Sequence, residues 1–89
     1  MTNVTRLFRE LRKQNYVAKQ RAGDCNSCAL SSYPELEVWT IDQGYYKKKT
    51  YVYFQVIEGT IIRDALKKLN IPYLWEGTDR DAFEVVELG

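Results

Sequence analysis

Two cysteines separated by two residues, Cys25-Asn26-Ser27-Cys28, are the place in this 89-residue chain where residue type and spacing could do chemistry. Three chemistries suit such a pair. Reduced and inert, the side chains are small, soft hydrophobes at a helix start. As thiolates they are zinc ligands, but a structural zinc needs four donors. The chain has no His and no other Cys. A zinc shell would therefore need carboxylates, or Cys25 and Cys28 from a second chain. As a redox couple the pair interconverts dithiol and disulfide, with Cys25 the more acidic thiol because a helix start follows it. The strand, CxxC, long-helix order of a thioredoxin-like site is absent. The inert pair is the working expectation, with no cofactor; zinc shared between chains and redox chemistry stay open.

Other catalytic sets do not assemble. Without His the commonest general base is missing. Ser27, Ser31 and Ser32 have no activating partner in the pattern, and no glycine-rich phosphate loop occurs. Asp79, Asp81 and Glu84 read as solvated surface. The expectation is a non-enzymatic domain, thiol redox activity apart.

A second set of residues suits contact with a partner. Residues 1–21 hold Arg6, Arg9, Arg12, Lys13, Lys19 and Arg21 against Glu10, a local net charge of +5. Tyr16 lies nearby for stacking, and Tyr45-Tyr46-Lys47-Lys48-Lys49 repeats the aromatic-plus-basic theme. Residues 58–89 carry a net −3, and the whole chain only +1, with a pI of 7.7. That balance falls short of the usual nucleic-acid footprint. The outward positions of Tyr51 and Tyr53 suit a protein-binding face, where Tyr is enriched. A protein partner is the first expectation and nucleic acid the alternative; oligomeric state is open.

The elements that must position these residues follow from periodicity. Val4, Leu7, Phe8 and Leu11 recur at i, i+3, i+4 and i+7, one stripe of a helix with Asn3 as N-cap and Asn15 as stop. Tyr16–Lys19 is a short extended piece, and Asp24 caps a helical turn through Cys28 to Leu30. Leu36–Ile41 and Thr50–Val56 read as an antiparallel pair; Val52, Phe54 and Val56 face one way, Tyr51, Tyr53 and Gln55 the other. Ile61, Ile62, Ala65, Leu66 and Leu69 make a second helix, capped by Glu58–Thr60 and stopped at Asn70. Tyr73–Trp75 and Phe83–Val86 close as a strand pair around Gly77. The expected fold is α+β in the order α-β-β-α-β-β: one domain over residues 1–89, with two helices on one face of a mostly antiparallel four-stranded sheet. Hydrophobic residues make up 45% of the chain and aromatic ones 13%, which excludes disorder. No apolar run approaches a bilayer span and no secretory signal is present, so the expected location is the cytoplasm, without a membrane partner.

With these residues in place, the chain resembles a group of small, uncharacterised bacterial and phage proteins. The shared pieces are Leu11-Arg12 with Tyr16, the Cys25–Cys28 loop, Tyr51-Val52-Tyr53-Phe54, and Leu66–Leu69 followed by Trp75-Glu76-Gly77. The group places a His and an acidic residue after the aromatic strand, where this chain has Gln55, Val56 and Ile57. The missing catalytic set and the surface tyrosines beside a basic helix lead to the expectation of an accessory protein of a phage or mobile element acting on a host protein, whereas the resemblance supports the fold and leaves function open. It carries no established activity.

Overall fold

The computed structural model describes residues 1–79 and 81–87. Helix α1 spans Asn3–Lys13. Its N-cap is Thr2 rather than Asn3: the Thr2 hydroxyl accepts from the Thr5 N–H at 3.2 Å, while the Asn3 amide donates to the Val86 carbonyl at 2.8 Å. Val4, Leu7, Phe8 and Leu11 are fully buried, as their spacing requires. Asn15, at φ 72°, turns the chain out of the helix. The order continues through β1 (Ala18–Lys19), α2 (Asn26–Ser32), β2 (Val38–Trp39), a 3₁₀ turn (Asp42–Gly44), β3 (Lys49–Phe54), α3 (Gly59–Lys68), β4 (Tyr73–Leu74) and β5 (Phe83–Val86). Asn70, at φ 58°, follows α3, and Gly77, at φ 94°, turns between β4 and β5.

The fold is mixed α+β, with differences in detail from the two-helix, four-strand arrangement. Among the described residues there are three helices and a five-stranded sheet ordered β1-β2-β3-β5-β4. The extended piece before the cysteines is the added strand: β1 runs parallel to β2, pairing Ala18 with Val38 and Lys19 with Trp39. The other three pairings are antiparallel.

Strand alternation explains why helices occupy both faces. Val38 and Trp39 are adjacent, so their side chains leave opposite faces of the sheet. Val38 joins α1 and α3 in the main core, with Val52, Phe83 and Val85. Trp39 joins Ala22, Ala29 and Leu36 in a second cluster, against which Leu30, Tyr33, Ile41 and Tyr53 pack. Helix α2 therefore covers the face opposite α1 and α3. At the other end of the sheet Phe83 stacks on Trp75 at 4.6 Å and meets Phe54 and Tyr73 at 5.8 and 5.9 Å. Gly59 starts α3 against this group, where a Cβ would collide with the Trp75 ring. Glu58 makes no side-chain capping bond; Asp79 instead accepts from the Gly59 N–H at 3.3 Å.

A buried carboxylate joins the two large helices. Glu10 accepts from Gln14 at 2.6 Å and from Lys68 at 2.9 Å, its side chain 9% exposed. The Gln14 hydrogen bond, then Lys68, hold its pKa below the ordinary value. The resulting stabilisation is present above the usual glutamate range, about 4.3, and is lost as pH falls through the lowered value.

Strand β3 ends earlier than its pattern suggests. Thr50 and Val52 are buried, but Val56, expected to share their face, is 88% exposed at φ 72°. The Ile57 N–H donates to the Gln55 carbonyl at 2.7 Å, closing a γ-turn around Val56. A β-branched residue at positive φ is strained by about 1–3 kcal/mol. Val56→Gly should therefore raise stability by about 1 kcal/mol, whereas Phe83→Ala should lower it by about 3–5 kcal/mol. Urea unfolding midpoints of the two variants check both signs; a Val56→Gly protein less stable than the parent would contradict the strain.

Candidate functional site

The cysteines sit where α2 begins, on the face of the second cluster. Close packing fixes that start. A Cβ on Gly23 would lie 2.9 Å from the Ala29 backbone nitrogen, so the absence of a side chain lets the chain before the motif lie against the helix. Ala29 is fully buried, while Cys25 and Cys28 are both exposed. Cys25 itself, not Asp24, is the N-cap: extended at φ −147° and ψ 170°, its Sγ accepts from the Cys28 N–H at 3.3 Å. The first of the two residues between them is tied to the sheet, because the Trp39 indole N–H donates to Asn26 Oδ1 at 3.0 Å. A part-buried indole needs an acceptor, and Asn26 supplies it.

The two sulfurs are 2.9 Å apart and share a hydrogen bond. This geometry divides their acidities. The Cys28 thiol donating to a Cys25 thiolate is the largest cause lowering the Cys25 pKa, followed by the Cys28 and Ser27 N–H groups; desolvation and the Asp24 charge oppose them. The same hydrogen bond between the sulfurs, together with the charge on Cys25, raises Cys28. Cys25 is thus favoured over Cys28 as the thiolate, the reactive form.

Among the described residues no three His, Cys, Asp or Glu side chains come together as a metal-binding group. Within one chain Cys25 and Cys28 would supply two ligands, so a tetrahedral zinc would need the pair from a second chain.

The basic and aromatic candidates divide. Arg12 donates to the Ala18 carbonyl at 2.8 Å and lies over the Phe8 ring. Arg6 donates to Asn3 and to the Leu69 carbonyl. Arg6, Arg9 and Lys13 share a hollow of about 270 Å³ with Met1, Glu10 and Leu69. Tyr16 packs against the main core. Tyr45 is tied to Thr40 and Gln20, with the Arg21 guanidinium 4.0 Å over its ring; burial pushes its pKa up. Lys49 pairs with Glu84 at 2.8 Å and lies over Tyr51. Tyr46, exposed, meets Tyr51 edge-on at 5.5 Å, and Lys47 and Lys48 are exposed beside it. Tyr53 stacks on Trp39 at 6.3 Å. Much of the set that reads as partner contact in sequence therefore has intramolecular work, while Lys13, Tyr46, Lys47 and Lys48 are exposed. Asn26 and Trp39, absent from that set, are joined to the cysteine loop; the signal was a Trp in a strand needing an acceptor.

The chain matches no protein-family model, no curated protein and no solved structure. Among the described residues no helix is long and apolar enough to cross a membrane.

The acidity difference has a direct readout. With limiting iodoacetamide near neutral pH, Cys25 should alkylate several-fold faster than Cys28, because the thiolate is the reacting form. The Cys25 rate should also reach its plateau at lower pH. Peptide mapping of quenched time points checks this, and equal rates would contradict the asymmetry.

Proposed function

We propose that this chain is a small interaction domain that engages a partner protein by thiol–disulfide exchange through Cys25 and Cys28. The observation that carries the reading is the pair of exposed sulfurs 2.9 Å apart, of which Cys25 is favoured as thiolate. A disulfide is about 2.05 Å long, so bond formation requires the sulfurs to close by less than 1 Å. An inert structural pair has no need of exposure, and zinc would require a second chain.

The reaction balances with a partner disulfide as oxidant. The Cys25 thiolate attacks one sulfur of the partner's bond, and the other sulfur leaves with the electron pair and takes up a proton. Cys28 then loses its proton to solvent and attacks the Cys25 sulfur of the mixed disulfide. The Cys25–Cys28 disulfide forms and the second partner thiol departs. Two electrons pass to the partner, without metal or cofactor. Asn26, held by Trp39, keeps the loop in the conformation that presents Cys25.

The resolving role of Cys28 gives the test. Incubated with oxidised glutathione, the parent should end as a monomer about two mass units lighter, with both glutathione thiols released. Cys28→Ser should stop at one stable glutathione adduct on Cys25. Cys25→Ser should react at least several-fold more slowly. A parent that ends with two adducts, or remains unmodified while free glutathione in the same buffer equilibrates, would overturn the proposal.

A further inference from the structure

The geometry points to a substrate preference at this site: the cleft beside the dithiol selects disulfides carried on a positively charged protein segment. This rests on the thiol-exchange reading above. The cleft, about 190 Å³, lies between the start of α2 and the β4–β5 connection. That is smaller than the roughly 300–1,000 Å³ of drug-sized ligand sites and suits one long side chain. Asn26, the residue after Cys25, forms one wall, so the cleft adjoins the loop that carries the attacking thiol. Tyr53, half-buried and stacked on the buried Trp39 with the two planes 24° apart, supplies aromatic surface.

Asp79 and Asp81 line the cleft with them. Asp79 Oδ1 accepts from the Gly59 N–H, and Asp81 Oδ2 from the Thr78 hydroxyl. Neither has an ion pair among the described residues. A carboxylate offers about four acceptor positions, so both keep capacity for a donor. Asp24 adds a further negative charge beside Cys25. Among the described residues, Lys49 pairs with Glu84 on the same sheet face, and Lys19 lies over the Tyr33 ring. Aromatic faces and carboxylates both attract Lys or Arg, the former by the ring quadrupole and the latter by charge. A basic side chain near the partner's cysteine would seat here and hold the disulfide against Cys25; an acidic one would be repelled.

Short peptide disulfides test the preference. Each set is identical except for Arg, Ser or Glu at one position, placed one to four residues from the Cys. At low salt the parent should exchange with the Arg peptide about tenfold faster than with the Glu peptide at the best spacing, and the preference should shrink at high salt. Asp79→Asn with Asp81→Asn should remove most of it, read as the ratio of Arg-peptide to Glu-peptide rates within each variant. Asp81→Asn alone leaves the Asp79 bond to α3 intact and should remove part, which keeps the test decisive if the double variant unfolds. No exchange with any peptide would overturn the thiol-exchange reading itself. Exchange with no Arg-over-Glu preference at any spacing, or a preference unchanged in the Asp variants, would overturn the cleft's role alone.

Discussion

The pleat of one two-residue strand organises this molecule. Val38 and Trp39 leave opposite faces of the sheet, Val38 into the core that α1 and α3 cover, Trp39 into the cluster under α2. Because the side-chain period of a strand is two, a one-residue slip of β2 would exchange these roles and leave a Trp among the large helices. Pairing on both sides of β2 holds its register: Ala18 and Lys19 on one side, Tyr53 and Phe54 on the other. The main core carries most of the apolar burial. The smaller cluster positions the cysteines, and it does so through one residue.

That arrangement explains how an exposed motif is kept ordered. Cys25 and Cys28 are both exposed, so packing on their own side chains does little to hold them. Order comes from beneath. Ala29 is buried against the Gly23 backbone, the Cys28 N–H is satisfied by the Cys25 sulfur, and the Asn26 amide is tied to the Trp39 indole. The sulfurs meet because Cys25 is an N-cap and Cys28 lies one turn on, where side chains at i and i+3 are neighbours. The acidity difference follows from that contact, since one hydrogen bond between two thiols favours a single ionised member.

The large elements were legible in the sequence because each has a strong local signal. The stripe Val4, Leu7, Phe8, Leu11 defined α1, and Ile62, Ala65 and Leu66 defined α3; Asn15 and Asn70 stood at positive φ where the chain had to turn. Short elements whose existence depends on partners were less visible. Ala18–Lys19 is a strand only because β2 lies alongside, and Leu36–Ile41 shrinks to Val38–Trp39 because Thr40 instead caps the loop, accepting from the Arg21 N–H and meeting Tyr45. Val56 continued the alternation of β3 in sequence yet stands in a strained turn, a tertiary demand that no periodicity encodes. The CxxC spacing marked the candidate site unaided. Its contact with Trp39, thirteen residues after Asn26, and the cleft shared with Asp79 and Asp81 arise only when both faces of the sheet are filled. The arginines of α1 looked like a free surface because nothing in a sequence shows that Arg6 and Arg12 reach backbone carbonyls elsewhere.

Through Trp39 and Asn26, the fold holds Cys25 and Cys28 as a preorganised couple. Two thiols held in contact form a disulfide as if at very high local concentration, and loosening them lowers that advantage. The most direct measurement is the redox equilibrium of the pair across graded ratios of reduced to oxidised glutathione, compared between the parent and Trp39→Phe, which keeps an aromatic ring and removes the indole donor. A single two-electron transition is expected in the parent. In Trp39→Phe, with its circular dichroism preserved, the equilibrium should shift at least several-fold toward the dithiol. A parent that forms no intramolecular disulfide at any ratio, or a folded Trp39→Phe protein whose equilibrium is unchanged, would contradict this preorganisation.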